Sequence, residues 1–120
     1  MPTMSKEILS ASTNGLGILV NQTATNNAVT IHTATTGGSN TDIDEIFIYA
    51  SNPTSTQRLL TIFFGGTTTV QDEIAVQVPA QTTMLVVPGL ILRAGLVVKA
   101  KCADDASVTL HGFVNRIDQS

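Results

Sequence analysis

The sequence predicts a single all-β domain, a β-sandwich of jelly-roll type with about eight antiparallel strands. Three observations carry that expectation. Short alternating or fully apolar runs recur along the chain, separated by turn signals every ~8–12 residues, the spacing of sandwiches and barrels. No stretch keeps a helical period beyond about two turns. The longest apolar stretch, Thr82–Cys102 (TTMLVVPGLILRAGLVVKAKC), is interrupted by Pro88-Gly89, Arg93 and Gly95. A spanning helix needs about 20 uninterrupted apolar residues, and a central arginine costs about 2.5–3.5 kcal/mol on insertion. The stretch therefore reads as strands at Thr83–Val87 and Leu96–Cys102 with a short Leu90–Leu92 segment between them. An immunoglobulin-like sandwich is the near alternative, but its Cys…Trp…Cys core is absent from a chain with one cysteine and no tryptophan.

Residues 1–15 are set apart as an N-terminal arm, polar but for Ile8-Leu9, which either frays or docks on a neighbouring subunit. Residues 16–120 form the sandwich domain. Leu16–Val20 follows the turn signal Asn14-Gly15 and is the first short strand. Ala28–Thr35 alternates, with Val29 and Ile31 to one side and Thr30 and His32 to the other. Thr36–Thr41 is an exposed loop of Gly, Ser, Asn and Thr.

Asp42–Ser51 places Ile46, Ile48 and Ala50 on one face and Phe47 and Tyr49 on the other. One face is expected to meet the core and the other something else. Asn52–Thr56 is a turn around Pro53, and Leu59–Phe64 is apolar nearly throughout, as in a central strand. Asp72–Pro79 turns Ile74, Val76 and Val78 inward until Pro79, which has no N–H to donate, ends the ladder. Leu96, Val98, Ala100 and Cys102 share one face of their strand, with Val97, Lys99 and Lys101 opposite. After a turn at Asp104-Asp105, Ser107–Ile117 puts Val108, Leu110, Gly112 and Val114 inward and His111, Phe113 and Asn115 outward.

Composition excludes several classes of function. Charged residues make up 12% of the chain against roughly 25% in ordinary soluble domains, leaving few groups for acid–base chemistry. A net charge of −3 without a basic cluster argues against nucleic acid, whose binding depends on Lys and Arg neutralising phosphates. Cys102 stands alone, so no intrachain disulfide forms, which favours assembly in a reducing cell interior. MPTMSKEILSAS lacks the apolar core of a signal peptide, and no membrane association is expected.

His32 and His111, both on outward faces, fall short of the three or four ligands a zinc site needs, and Cys102 faces inward. Asp42, Asp44 and Glu45 lack the glycine and terminal glutamate of a calcium loop. Gly37-Gly38 and Gly65-Gly66 lack the lysine and helix of a phosphate-binding loop. No G-x-S-x-G elbow is present. The chain is expected to carry no catalytic, cofactor or metal site and to be no enzyme.

Four stretches, IDEIFIYASN, LLTIFFGGTTT, VPAQTTMLVVPGLILRAGLVVKA and VTLHGFVNRI, together resemble the small head decoration (cement) proteins of tailed bacteriophages. The resemblance runs roughly from Val29 to Ile117 and rests on strand patterns, without a reactive motif to carry over. It implies a β-sandwich that caps capsomer junctions, commonly as a homotrimer, and braces the major capsid protein. Such a protein is made in the host cytoplasm and resides on the virion surface. The partner interface is expected at Ile8, Leu9, Phe47, Tyr49, Val97 and Phe113. The alternative is a carbohydrate- or receptor-binding module of a phage tail or head spike, disfavoured by an aromatic content of 4%.

Overall fold

The alternating strands supply the two facing layers of a sandwich. A computed structural model describes residues 3–36, 42–104 and 106–118. These form nine strands: β1 (Thr3–Ile8), β2 (Ile18–Val20), β3 (Val29–Thr33), β4 (Ile43–Asn52), β5 (Arg58–Phe64), β6 (Glu73–Val78), β7 (Thr82–Leu92), β8 (Val97–Cys102) and β9 (Val108–Asp118). One sheet runs β1-β9-β4-β7, with β2 on the same edge of β9 as β1, and the second runs β3-β8-β5-β6. From β2 onward the chain changes sheet at every connection except the β5–β6 hairpin. That is the jelly-roll path. All described pairings are antiparallel. The loop at Thr36–Thr41 and the Asp104-Asp105 turn lie in part outside the described residues.

Between the sheets, Ile46, Ile48 and Ala50 of β4, Leu110 and Val114 of β9 and Val87 of β7 meet Leu60 and Ile62 of β5, Val98, Ala100 and Cys102 of β8 and Val78 of β6. Each is fully buried, and burying such a side chain is worth about 1.5–3 kcal/mol. At Gly112 there is no room between β9 and β4 for a side chain: an added Cβ would meet the Phe47 carbonyl oxygen and come within 3.1 Å of Ile48 Cα. Backbone cannot step aside as a side-chain tip can. Gly112→Ala is expected to lower stability by about 2–3 kcal/mol, as overpacking does, read as a shifted urea midpoint.

The strand readings need three revisions. Thr82–Leu92 is one strand, not two pieces parted at Pro88-Gly89. It sits on a sheet edge, where a proline's missing N–H breaks no ladder, and register shifts between Ile46/Phe47 and Ile48/Tyr49 absorb the irregularity. Gly89, at φ +91°, occupies the left-handed region there. Second, His32 does not face outward. The register slips between Thr30 and His32, so β3 carries a bulge that turns both Ile31 and His32 inward. Third, Thr3–Ile8 of the N-terminal arm is an edge strand on β9 of its own chain.

Burial raises the pKa of the Cys102 thiol, chiefly by desolvating the thiolate. Cys102 is expected to react with a thiol reagent such as DTNB only as the protein opens. Labelling should therefore accelerate with urea in step with unfolding.

Candidate functional site

The two outer faces of the sandwich differ sharply. On the second sheet the outward positions are Lys99, Lys101, Thr61, Glu73, Ala75 and Gln77, with two aliphatics, Leu59 and Val97, and one aromatic, Phe63. That ring is fully buried beneath polar cover, with Lys101 Nζ 5.6 Å from its centroid and held by Thr25 Oγ1 at 3.0 Å. Leu59 is 38% exposed, but most of this face is polar.

The first sheet is not. Antiparallel register aligns its outward residues in rows: Met4–Ile117–Ile43, then Lys6–Asn115–Glu45–Ile91, then Ile8–Phe113–Phe47–Pro88, then His111–Tyr49–Leu85. Phe47 and Phe113 stack with centroids 4.8 Å apart and planes at 13°, and Lys6 Nζ lies 4.6 Å from the Phe113 centroid. Around this stack Met4, Ile8, Tyr49, Leu85 and Ile91 are between 39% and 67% exposed. Among the polar groups in these rows, Asn115 Nδ2 donates to Glu45 Oε1 at 3.1 Å. Large exposed apolar patches are where proteins commonly meet other macromolecules.

Of the six residues expected at an interface, this face gathers four: Ile8, Phe47, Tyr49 and Phe113. Val97 lies across the sandwich, half-buried on the second sheet, where it lines a pocket of about 250 Å³ with Gly65, Gly66, Thr67, Gly95, Leu96 and Lys99. Leu9 is 1% exposed and belongs to the core, so it offers no surface. It lies beyond β1, where the chain leaves the first sheet and passes between the layers. Leu85, Ile91 and Met4 join the face without having been singled out. The apolar character of both sides of Thr82–Leu92 was the available signal, but only register shows which residues meet Tyr49 and Glu45.

A buried polar cluster closes the same side of the sandwich. Asp44 is fully buried; its Oδ1 accepts from Arg116 Nε at 2.8 Å, and its Oδ2 from Arg116 NH2 at 3.1 Å, His32 Nε2 at 2.8 Å and the Thr35 amide at 3.0 Å. The Ser10 amide donates to His32 Nδ1 at 3.0 Å, so the ring is the neutral tautomer with its proton on Nε2. Burial by itself would raise the Asp44 pKa. The bonds from Arg116 and His32, the Arg116 charge and the Thr35 amide outweigh it and hold Asp44 below its usual 3.8. Arg116 in turn is raised, first by its hydrogen bond to Asp44.

Serine, histidine and aspartate stand together here, but not as a nucleophile and its base. Ser10 meets the ring through its backbone amide, its Oγ accepts from the Thr33 amide at 2.7 Å, and His32 is 1% exposed. The cluster ties the N-terminal segment, β3, β4 and β9 together. Among the described residues, no group of three or more His, Cys, Asp or Glu could hold a metal ion, and no helix is long and apolar enough to cross a membrane.

No protein-family model and no curated protein matches the chain. Among solved structures it is similar to a chain described under "Bacillus endospore appendages form a novel family of disulfide-linked pili", at 15% identity and a TM-score of 0.47, covering 97% of this chain and 85% of that one. It is also similar to a chain from the structure of infectious bursal disease virus Gx strain, at 12% identity and a TM-score of 0.40, covering 98% of this chain and 30% of that one.

Proposed function

We propose that this protein is a structural subunit of a bacteriophage virion, a head decoration (cement) protein that bridges major capsid protein subunits. It acts by packing, not by catalysis. The observation that supports this reading is the apolar outer face of the first sheet, centred on the Phe47–Phe113 stack, opposite a second face that is mostly polar. The resemblance of its strand patterns to decoration proteins supplies the head as the place of action and the homotrimer as the working unit. Subunits that touch several capsid proteins at once gain avidity, so modest contacts at each face suffice.

The test is made on particles. Mass spectrometry of purified virions should find the chain in many copies, and a reconstruction should place it on the outer head surface, first sheet inward. Particles lacking it should lose their DNA on milder heating than complete ones. Absence from virions, or equal heat resistance with and without the chain, would overturn the reading.

A further inference from the structure

β1 and β2 are collinear pieces of a single edge strand. β1 pairs with β9 from Asp118 to Phe113, and β2 pairs with the same edge from Leu110 to Val108. Between them the chain makes an excursion over Leu9–Gly17. Leu9 enters the core, the Ser10 amide and Oγ bind His32 and the Thr33 amide, and the Ala11 amide donates to Ile31 O at 3.2 Å. The chain then reverses in a tight turn closed by the Leu16 amide on Thr13 O at 2.9 Å. Its two central residues, Asn14 at φ 53° and Gly15 at φ 90°, both lie in the left-handed region.

Thr3–Ala11 is therefore a plug. One end adds a strand to the first sheet, the other inserts Leu9 between the layers, and the tight turn alone ties it to the rest of the chain at its C-terminal end. Beyond that turn its contacts lie with β3, β9 and the core, and a second copy presents identical partners. We infer that Thr3–Ala11 is exchanged between copies of this chain, with residues 12–17 opening as the hinge. Exchange preserves the bonds of the plug to β3 and β9 and the burial of Leu9, and residues 12–17, once extended, span about 20 Å between copies.

The exchange has a consequence for the apolar face. Met4, Lys6 and Ile8 come from β1, so each copy completes the face of another, and Lys6 covers the partner copy's Phe113 ring. The inference does not depend on which macromolecule that face meets. Its failure would leave the decoration reading intact, and the reverse holds as well.

The test uses full-length chains. Lys6 and Asn115 are facing partners on antiparallel strands, outward and within disulfide reach. Lys6→Cys chains and Asn115→Cys chains are mixed in urea, refolded together and oxidised. With exchange, a disulfide-linked heterodimer collects about half of all chains, the statistical share for random pairing in a closed ring of two or three copies. A chain carrying both substitutions should form covalent dimers or trimers, or a ladder if the exchange runs head to tail without closing. If the mixture gives no heterodimer and the double variant cross-links only within its own chain, the inference is wrong. Met4→Cys with Ile117→Cys, a second facing pair, repeats the test should the first pair fail to fold. Light scattering on the unsubstituted protein adds an independent check, because a monomer at every concentration would exclude exchange.

Discussion

Asp44→Ala is expected to cost about 3–5 kcal/mol, the effect of removing one partner from a buried ion pair. The size follows from what is left behind. Arg116, about one third exposed, can turn its guanidinium partly to water. His32 cannot, because its ring is sealed and its Nε2 proton would face a void; the Thr35 amide loses its acceptor as well. Asp44→Asn should cost less, since the amide keeps the shape and one acceptor. Urea unfolding at neutral pH measures both.

The same carboxylate sets an acid limit. Its folded pKa lies below the unfolded value near 3.8, so its contribution is complete above that value and is lost as pH falls through the folded pKa. The unsubstituted protein should therefore lose stability more steeply than Asp44→Asn below pH 3.8, and the two curves should converge in acid. Parallel curves would mean that Asp44 is not the group that titrates.

Tyr49→Asp combined with Leu85→Asp is expected to reduce binding to decoration-free particles by ~100-fold or more, as loss of two contact anchors does. The pair faces across β4 and β7 in the middle of the apolar surface, and each side chain is about 40% exposed. Such surface positions contribute little to folding, so the stability read from urea unfolding should change by less than about 1 kcal/mol. Charges placed on the second sheet, for example at Gln77, should leave particle binding unchanged. Equal loss from either face would point to general electrostatic repulsion from the particle.

Much of this architecture was legible because period-2 alternation survives wherever a strand is regular. β4 and β9 show it plainly: Ile46, Ile48, Ala50, Leu110 and Val114 are inward, with Phe47, Tyr49 and Phe113 outward. That rule put Phe47, Tyr49 and Phe113 on the outer face of the first sheet, where the structure has them. Errors arose where a strand departs from it. A bulge shifts the side-chain phase by one residue, and nothing in VTIHT announces the slip that buries His32. Pro88-Gly89 reads as a break until the strand is known to lie on an edge. Leu9 and Ile8 are neighbours in a polar segment, and only the path of the chain after β1 sends one to the core and leaves the other on the face.

The jelly-roll path also governs how fast the chain becomes native. Only β5 and β6 are joined as a hairpin within one sheet; every later or earlier strand pair must bring together segments far apart in sequence. Loop closure must then precede most of the stabilising contacts, which puts folding in the milliseconds-to-seconds range of non-local β proteins and leaves sheet edges open meanwhile. β9 feels this most, because it is made last of the nine strands yet pairs with β1, β2 and β4. During synthesis the first sheet cannot be completed until β9 has emerged, so β1, β2 and one side of β4 wait for their partner through the making of every strand between.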